Sequence, residues 1–344
     1  MRKLSGCCFL FILLLSSDAL FAQIGGSNTY AFLNLVAPAR SAALGGNAIA
    51  TRADDVSLVA QNPSQLTTEM HQQLSLSYVG YLAGIKFGDV AYAYDFKKIG
   101  MFSGNLKFVN YGSFDRTDVN SEVIGTFKAA EYALSFSWSK ALDSSLFIGA
   151  AFKGIYSNLG DYKSSGVAAD VALTWYDQEN LWCATIVAKN IGAQISTYEG
   201  GDQEKLPFEL QAGISKKLDK APFRFSLIAQ QLQKFDLTYE DPNLTGVDPL
   251  TGESKAEKIT FTNKVARHLI LNAEILFSKN FNARLGYNFM RRKELAYTEA
   301  KGMSGMSIGF GLNIKKFSFS YARSIYNKAG GSNHFSIATN LSNF

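Results

Sequence analysis

The side chains most able to do chemistry in this sequence are scattered rather than clustered. The three histidines, His71, His268 and His334, are far apart, and none belongs to an H-E-x-x-H zinc motif. The sequence also contains no G-x-S-x-G nucleophile elbow and no Walker phosphate loop. A hydrolytic triad assembled from distant strands stays open as an alternative. The absence of local motifs nevertheless predicts a non-enzymatic protein with no catalytic residues, no cofactor and no metal.

Two acidic stretches and one cysteine complete the set of candidate sites. We expect the adjacent pair Asp54 and Asp55 to contact arginine or backbone donors, and not to act as a catalytic dyad. Asp241-Pro242-Asn243 offers oxygen ligands for calcium, but its spacing matches no known calcium loop. Cys183 is the one cysteine beyond the first 22 residues, so an intrachain disulfide is excluded after cleavage there.

The N-terminus has the composition of an export signal. Arg2 and Lys3 precede a short apolar stretch from Phe9 to Leu15, which is too short to span a bilayer as a helix. Residues 20–22 then offer a cleavage point, so residues 1–22 are predicted to be a signal peptide. A lipoprotein box at Cys7 is the alternative, but the apolar stretch follows this cysteine instead of preceding it.

Composition narrows the classes of protein and partner that remain. Hydrophobic residues make up 47% and aromatic residues 13% of the chain, with 29 glycines and a net charge of only +5. No basic block with interleaved aromatics occurs, which argues against nucleic acid as a partner. Beyond the signal, no run of eighteen apolar residues predicts a transmembrane helix.

Alternating apolar and polar residues recur from about Leu74 to the C-terminus. Successive side chains of a strand point to opposite faces, so a run such as Val90 to Phe96 has one apolar face and one small or polar face. A sandwich core would alternate in the same way. Many runs last roughly ten residues, however, which is what a tilted strand needs to cross a bilayer, whereas ordinary strands are nearer five or six. The run length therefore favours an all-β transmembrane antiparallel β-barrel of about fourteen strands.

Short and long connections alternate between these runs. Odd-numbered runs are followed by longer gaps, such as 111–125, 157–166 and 235–267, whereas even-numbered runs are followed by short polar turns such as Lys97 to Gly100. Outer-membrane barrels sort their connections in this way, with short turns toward the periplasm and long loops outside. The pattern predicts an outer-membrane location.

The region before the first strand differs from the rest and is predicted to fill the barrel. Residues 23–72 are rich in Ala, Gly, Asn and Ser, and about fourteen strands enclose a lumen wider than wall side chains can fill. We therefore predict a signal peptide at 1–22, an N-terminal plug with short helices at 23–72 and the barrel at 73–344; a periplasmic tail is the alternative to the plug. Arg224, Glu274, Arg284 and Arg323 are expected to face the lumen and to pair with the plug. The structural residues predicted for the plug and lumen are Arg40, Gly45, Gly46, Asp54, Asp55, Asn62 and Pro63.

The longest exterior loop, at 235–265, is the candidate surface for a partner. It is rich in acidic residues, while lysines crowd the short turns, and opposite charges on the two rims would steer partners of opposite sign. Ordinary solvated loop charge is the alternative reading. The candidate partner-binding residues are Asp236, Glu240, Asp241, Asp248 and Glu253.

Several motifs of the N-terminal region occur together in one known family. They are Tyr30-Ala31-Phe32-Leu33-Asn34-Leu35, Ala39-Arg40-Ser41-Ala42-Ala43-Leu44-Gly45-Gly46, Asp54-Asp55-Val56, Asn62-Pro63 and Met70-His71-Gln72-Gln73-Leu74. This stretch resembles the N-terminal part of the FadL-like barrels, and within them it is most similar to the PorQ family of the type IX secretion system. The resemblance covers essentially the whole mature chain.

The resemblance implies a non-enzymatic role at the cell surface. PorQ-like barrels are expected to anchor a PorZ-like partner, together with PorU-like and PorV-like components, in a complex that attaches secreted cargo to lipopolysaccharide. The wider barrel class implies a different role, the transport of hydrophobic small molecules. A transporter needs an apolar path past the plug, whereas an anchor needs a sealed lumen and a large exposed loop surface.

Overall fold

The computed structural model describes residues 28–238, 260–295, 302–327 and 330–344. Within these residues, fourteen antiparallel strands form one closed barrel in which each strand pairs with its neighbours in sequence. The signal-peptide prediction for residues 1–22 lies outside the described residues. The strands are β1 (Gln73–Gly80), β2 (Lys86–Asp95), β3 (Met101–Thr117), β4 (Val123–Ala141), β5 (Leu146–Leu159), β6 (Tyr162–Asp177), β7 (Trp182–Ser196), β8 (Glu209–Lys217), β9 (Phe223–Ala229), β10 (Leu269–Ile275), β11 (Phe281–Asn288), β12 (Met306–Ile314), β13 (Phe317–Asn327) and β14 (Gly330–Asn340).

Helices are short and lie in the N-terminal segment, in the connections and after the last strand. Those of α type are α1 (Ala39–Ala43), α2 (Phe261–Arg267) and α3 (Phe289–Leu295), and the single 3-10 turns are Ala31–Asn34, Val56–Leu58, Pro63–Gln65, Thr68–Met70, Leu82–Gly84 and Leu341–Asn343. In the described ranges, no helix is long and apolar enough to cross a membrane.

The barrel closes through β1 and β14. Their register runs from Gln73 opposite Asn340 to Gly80 opposite Asn333. This pairing confirms the barrel over the sandwich, because it leaves no unpaired edge in the wall, and hydrocarbon offers no partner for unpaired backbone groups.

The alternation seen in the sequence separates the lipid-facing and lumen-facing sides of the wall. On β4, Phe136 is 59% exposed, whereas its neighbour Ser137 is 3% exposed because it points into the filled lumen. Apolar side chains repeat on the outer face of every strand, which a soluble protein would not tolerate over so large an area. The outer surface is therefore the lipid-facing side of a transmembrane barrel.

The wall is tall on one side and low on the other. The strands from β3 to β7 have 14 to 19 residues, whereas β9 and β10 have seven each. The sequence prediction of long loops at 111–125 and 157–166 was wrong, because β3 and β4 are connected only by residues 118–122 and β5 and β6 only by Gly160 and Asp161. Polar residues had suggested loops there, but strands that rise beyond the bilayer are wet on both faces.

The residues after the last strand form a single turn. Strand β14 ends at Asn340, whose side chain accepts a hydrogen bond from the backbone N–H of Ser342 at 2.9 Å and so starts a single 3-10 turn. Phe344 lies beyond this turn and contacts the ring of Phe317, with centroids 6.0 Å apart. Its departure from the strand alternation follows from this turn.

Candidate functional site

The described part of the N-terminal segment, residues 28–72, lies inside the barrel. Two of its turns are fixed by their own caps, since Asn62 accepts from Ser64 N–H at 3.0 Å and Asp55 accepts from Ser57 N–H at 3.1 Å. Pro63 takes the first helical position, where its missing N–H does no harm. The Asn62 side chain also donates to Thr185 Oγ1 of β7 at 3.0 Å, which attaches this turn to the wall.

Two glycines end α1 and turn the segment across the lumen. Gly45 and Gly46 have φ values of +77° and +93°, and Gly46 N–H bonds back to Ser41 O at 3.0 Å. This is the left-handed termination that favours glycine. A side chain at Gly45 would also meet Ile270 of the wall, whose Cγ2 lies 2.6 Å from the Cβ position.

The wall provides its own glycines where the segment presses against it. A Cβ on Gly286 of β11 would collide with the backbone of Leu44 and Gly45, and one on Gly149 of β5 would collide with the backbone of Pro63 and Ser64. Backbone therefore packs directly on backbone at both sites. The close fit holds the segment against opposite sides of the lumen.

A buried carboxylate ties α1 to three strands. Glu274 of β10, 1% exposed, accepts from Arg40 of the segment at 2.9 Å, from Arg224 of β9 at 2.6 Å and from Arg284 of β11 at 3.2 Å. Asp55 lies 3.5 Å from Arg40 and adds a second negative charge. Each of these charges has a partner, as the burial of charged groups requires.

Two of the predicted lumen residues have exposed side chains. Arg323 was expected to face inward, but it is exposed on the outer face between the inward-pointing Ala322 and Ser324, and it donates to Asn333 Oδ1 at 2.9 Å. Because successive side chains of a strand point to opposite faces, a residue between two inward-pointing neighbours faces outward. Asp54 is likewise exposed, and the contact made at this residue is through its carbonyl oxygen, which accepts from Gln73 Nε2 at 3.1 Å.

Lysines inside the wall form a second polar contact that sequence reasoning missed. Lys107 of β3 donates to the carbonyl oxygens of Leu33 and Leu35 at 2.9 and 2.7 Å, and so holds the segment by its backbone. Lys153 of β5 pairs with Asp170 of β6 at 2.7 Å. The sequence signal that could have revealed these lysines is a charged residue on the small, polar face of an otherwise alternating run.

A distortion of the wall provides further contacts with the N-terminal segment. The β6–β7 register shifts between Ala169 and Val171, and there Asn190 adopts φ +58°. The Asn190 side chain donates to Asn34 Oδ1 and to Pro207 O, both at 3.0 Å. One residue thus connects the wall, the segment and the connection that follows β7.

Apolar side chains gather at the end of the lumen nearer the long loops, in what we call the outer chamber. Tyr30, Phe32 and Leu33 of the segment pack there against wall residues that include Phe87 and Ile155. The outer chamber is defined by the buried residues Tyr30, Phe32, Leu33, Ala37, Val79, Phe87, Val109, Ala133, Ile155, Ala168 and Leu206, with Leu35, Tyr81, Ile85, Tyr111 and Tyr198 at its border.

The three histidines have separate structural surroundings. His334 lies beside the outer chamber, with its ring centroid 6.3 Å from that of Phe87 and Nε2 2.7 Å from Ser332 Oγ. His71 accepts from Asp95 N–H at 3.0 Å, and His268 contacts Gln230 O at 2.8 Å. Among the described residues, no group of three or more His, Cys, Asp or Glu side chains could hold a metal ion.

The candidate partner-binding loop is described only at its two ends. Asp236 accepts from Lys264 Nζ at 2.5 Å and from Thr238 N–H at 2.9 Å, and these bonds hold the pKa of its carboxyl below the usual range. Glu240, Asp241, Asp248 and Glu253 lie outside the described residues, as does the possible calcium site that includes Asp241. Lysines exposed at the short-turn rim include Lys97, Lys98, Lys140, Lys217, Lys220, Lys279, Lys315 and Lys316.

Comparison with known proteins shows the fold and not a family. No protein-family model matches the chain, and no curated protein matches it. Among solved structures, the toluene transporter TbuX of Ralstonia pickettii matches with a TM-score of 0.52 at 12% identity, covering 88% of this chain and 97% of the transporter. The monoaromatic hydrocarbon channel CymD matches with a TM-score of 0.51 at 13% identity, covering 89% and 97%. A FadL homologue of Pseudomonas aeruginosa matches with a TM-score of 0.49 at 10% identity, covering 89% and 98%.

The likenesses to TbuX and CymD confirm the architecture that the sequence predicted. In its described residues the chain is an all-β, closed barrel of fourteen antiparallel strands.

Proposed function

We propose that this barrel transports hydrophobic small molecules across the outer membrane. The observation that carries the proposal is the outer chamber, the part of the lumen where aromatic and other apolar side chains of the segment and the wall pack together. Pockets for small ligands combine such a lining with a few polar groups. The fold likeness to a toluene transporter and a monoaromatic hydrocarbon channel supports the same chemical class.

The chain's own side chains occupy this space. Tyr30 and Phe32 are each 2% exposed and lie where an apolar solute would bind. Tyr30 has φ +53°, a left-handed conformation that is uncommon for a residue with a side chain, and its hydroxyl bonds to Ser164 Oγ. Entry of a solute therefore requires the 3-10 turn Ala31–Asn34 to move, and a strained turn moves at lower cost.

Enlarging one side chain of the outer chamber tests transport. Phe32→Trp leaves less room for a solute, and we expect uptake of radiolabelled toluene by cells producing the protein to fall about tenfold, the effect of ~1.4 kcal/mol. Phe152→Trp is the matched control, because Phe152 is 56% exposed to lipid. The proposal is contradicted if cells producing the wild-type protein take up toluene no faster than cells without it. It is also contradicted if Phe32→Trp leaves uptake unchanged.

A second candidate is the surface anchor of a type IX secretion complex, which the PorQ-like motifs suggest. Two observations favour it. Lys107, Asn190 and Glu274 hold the segment in place by polar contacts, which suits a sealed lumen. The β3–β4 hairpin also rises beyond its neighbours, because β2 pairs with β3 only as far as Asn110 and β5 pairs with β4 only from Ala129.

The raised hairpin has the features of a protein-docking surface. Its two edges have no neighbouring strand over residues 112–127, a ribbon of roughly 20 Å at 3.3 Å per residue. It exposes Phe114, Val119, Val123 and Ile124, of which Val119 is 99% exposed. In this second candidate function the ribbon, with the acidic loop at 235–265, would hold a PorZ-like partner near PorU-like and PorV-like components.

Shortening the ribbon tests the anchor. Replacing residues 112–127 with a two-residue turn keeps the pairing of β3 with β2 and of β4 with β5, and we expect it to abolish co-purification of a large surface partner in detergent and to release secreted cargo. Deleting residues 240–257 is the parallel variant for the acidic loop. If the intact protein purifies without any large partner, the anchor function is rejected, whereas transport is judged separately by toluene uptake.

A further inference from the structure

The lipid-facing wall contains an apolar groove where its tall strands adjoin its low strands. The groove spans the outer surface of β5 to β10 and has a volume of about 490 Å³, within the range of about 300–1,000 Å³ typical of small-molecule pockets. Ala184, Ala212 and Ala229 form its floor, because their side chains are short, and Trp175, Ile186 and Leu227 stand at its sides.

Strand register makes the groove continuous. Ala212 lies opposite Ile186 on one side and opposite Ala229 on the other. One row nearer the short turns, Ile214 lies opposite Ala184 and Leu227. The small residues of adjacent strands thus adjoin, and the hollow crosses the strands obliquely instead of breaking into separate pits.

A lysine marks the periplasmic end of the groove. Lys216 is the next outward position of β8 after Ile214, and it lies opposite Trp182 and Phe225. Its ammonium group is 5.4 Å from the centre of the Trp182 ring and donates to Asn180 O in the β6–β7 turn. The lysine stem therefore follows the apolar wall while its charge reaches the interface at the short-turn rim.

The carboxylate on the adjoining strand is held within its own turn. Asp177 lies opposite Trp182, but its carboxylate accepts from the backbone N–H groups of Glu179 and Asn180, both at 3.0 Å, and from Asn180 Nδ2 at 2.9 Å. Asp177 thus stabilises its own turn. Lys216 is left as a cation beside the apolar groove, at the depth where phospholipid headgroups of the inner leaflet lie.

We propose that this groove is a binding site for one anionic phospholipid of the periplasmic leaflet. One acyl chain lies over Ala212, Ala229 and Ala184, where it contacts the taller side chains and avoids an empty space in the wall. The phosphate of the headgroup bonds to the ammonium of Lys216. The site does not depend on which function of the lumen is correct.

Native mass spectrometry of the full-length protein, released from detergent after addition of a lipid, tests the site. The probes are phosphatidylglycerol and phosphatidylcholine with identical acyl chains. We expect one phosphatidylglycerol to be retained about fivefold better than phosphatidylcholine, the size of one partly solvated ion pair. Ala212→Phe fills the groove and should reduce retention of both lipids, whereas Lys216→Gln should reduce phosphatidylglycerol to the level of phosphatidylcholine.

Lys140→Gln is the matched control. Lys140 is exposed at the short-turn rim, on the outward face of β4 and two residues beyond Trp138, but its strand is four strands away from β8, which carries Lys216. All variants change lipid-facing residues, and heat-modifiable migration in gels verifies that each barrel is folded. The proposal is overturned if Ala212→Phe and Lys216→Gln retain phosphatidylglycerol like the wild type, or if Lys140→Gln loses as much as Lys216→Gln, which would indicate unspecific annular lipid.

Discussion

Replacing Glu274 with glutamine is expected to destabilise the barrel by about 3–5 kcal/mol, the cost of removing one partner of a buried ion pair. The substitution keeps the shape of the side chain but removes the negative charge that Arg40, Arg224 and Arg284 share. The three guanidinium groups then face one another inside the lumen. Urea unfolding in detergent, followed by tryptophan fluorescence, should show the loss as a lower midpoint.

Two further variants separate charge from side-chain packing. Glu122→Gln changes an exposed carboxylate in the connection between β3 and β4 and should leave the midpoint unchanged. Adding Arg284→Met to Glu274→Gln removes one of the repelling cations, so part of the loss should be regained. If Glu274→Gln unfolds at the wild-type midpoint, the carboxylate does not hold the segment in the lumen.

Replacing Gly286 with valine is expected to displace the N-terminal segment from the lumen. The new side chain would occupy the space of the backbone at Leu44 and Gly45, and backbone cannot give way as a flexible side chain can. A displaced segment leaves a lumen wide enough for water, since fourteen strands exceed what wall side chains fill. Cells producing the variant should become sensitive to a large hydrophilic antibiotic such as vancomycin.

Gly104→Val is the matched control for this experiment. Gly104 also lies within a strand, but a Cβ there meets nothing within 4 Å. It introduces the same β-branched residue without touching the segment, so antibiotic sensitivity should remain at the wild-type level. Equal resistance in Gly286→Val and wild type, at equal amounts of folded barrel, would contradict a tightly seated segment.

Much of the wall could be predicted because its rules are local. Alternation along runs such as Val90 to Phe96 fixes which side chains face lipid, since the period of a strand is two. The same rule, applied strictly, would have placed Arg323 outside, because Ala322 and Ser324 are the inward residues. The error came from assuming that a charge in a membrane wall must face the lumen, although a long side chain on the outer face can reach the interface.

The polar contacts of the lumen were predicted only in part. Arg40, Glu274, Arg224 and Arg284 were expected to pair inside, but their convergence on one carboxylate joins residues 40 and 274 across most of the chain. Lys107 was missed, because its acceptors are the backbone carbonyls of Leu33 and Leu35 and have no signature in residue types. Such contacts depend on the path of the segment and not on sequence spacing.

The sequence by itself determined that a membrane-spanning, closed all-β wall of about fourteen strands would form. Periodicity is local, and hydrocarbon allows no open edge. Only the tertiary structure decided which residues contact one another. It set the unequal strand heights, the outer chamber around Tyr30 and Phe32, and the groove that ends at Lys216. These features depend on the register between strands and on how the segment threads the lumen, and both are set by packing over the whole barrel.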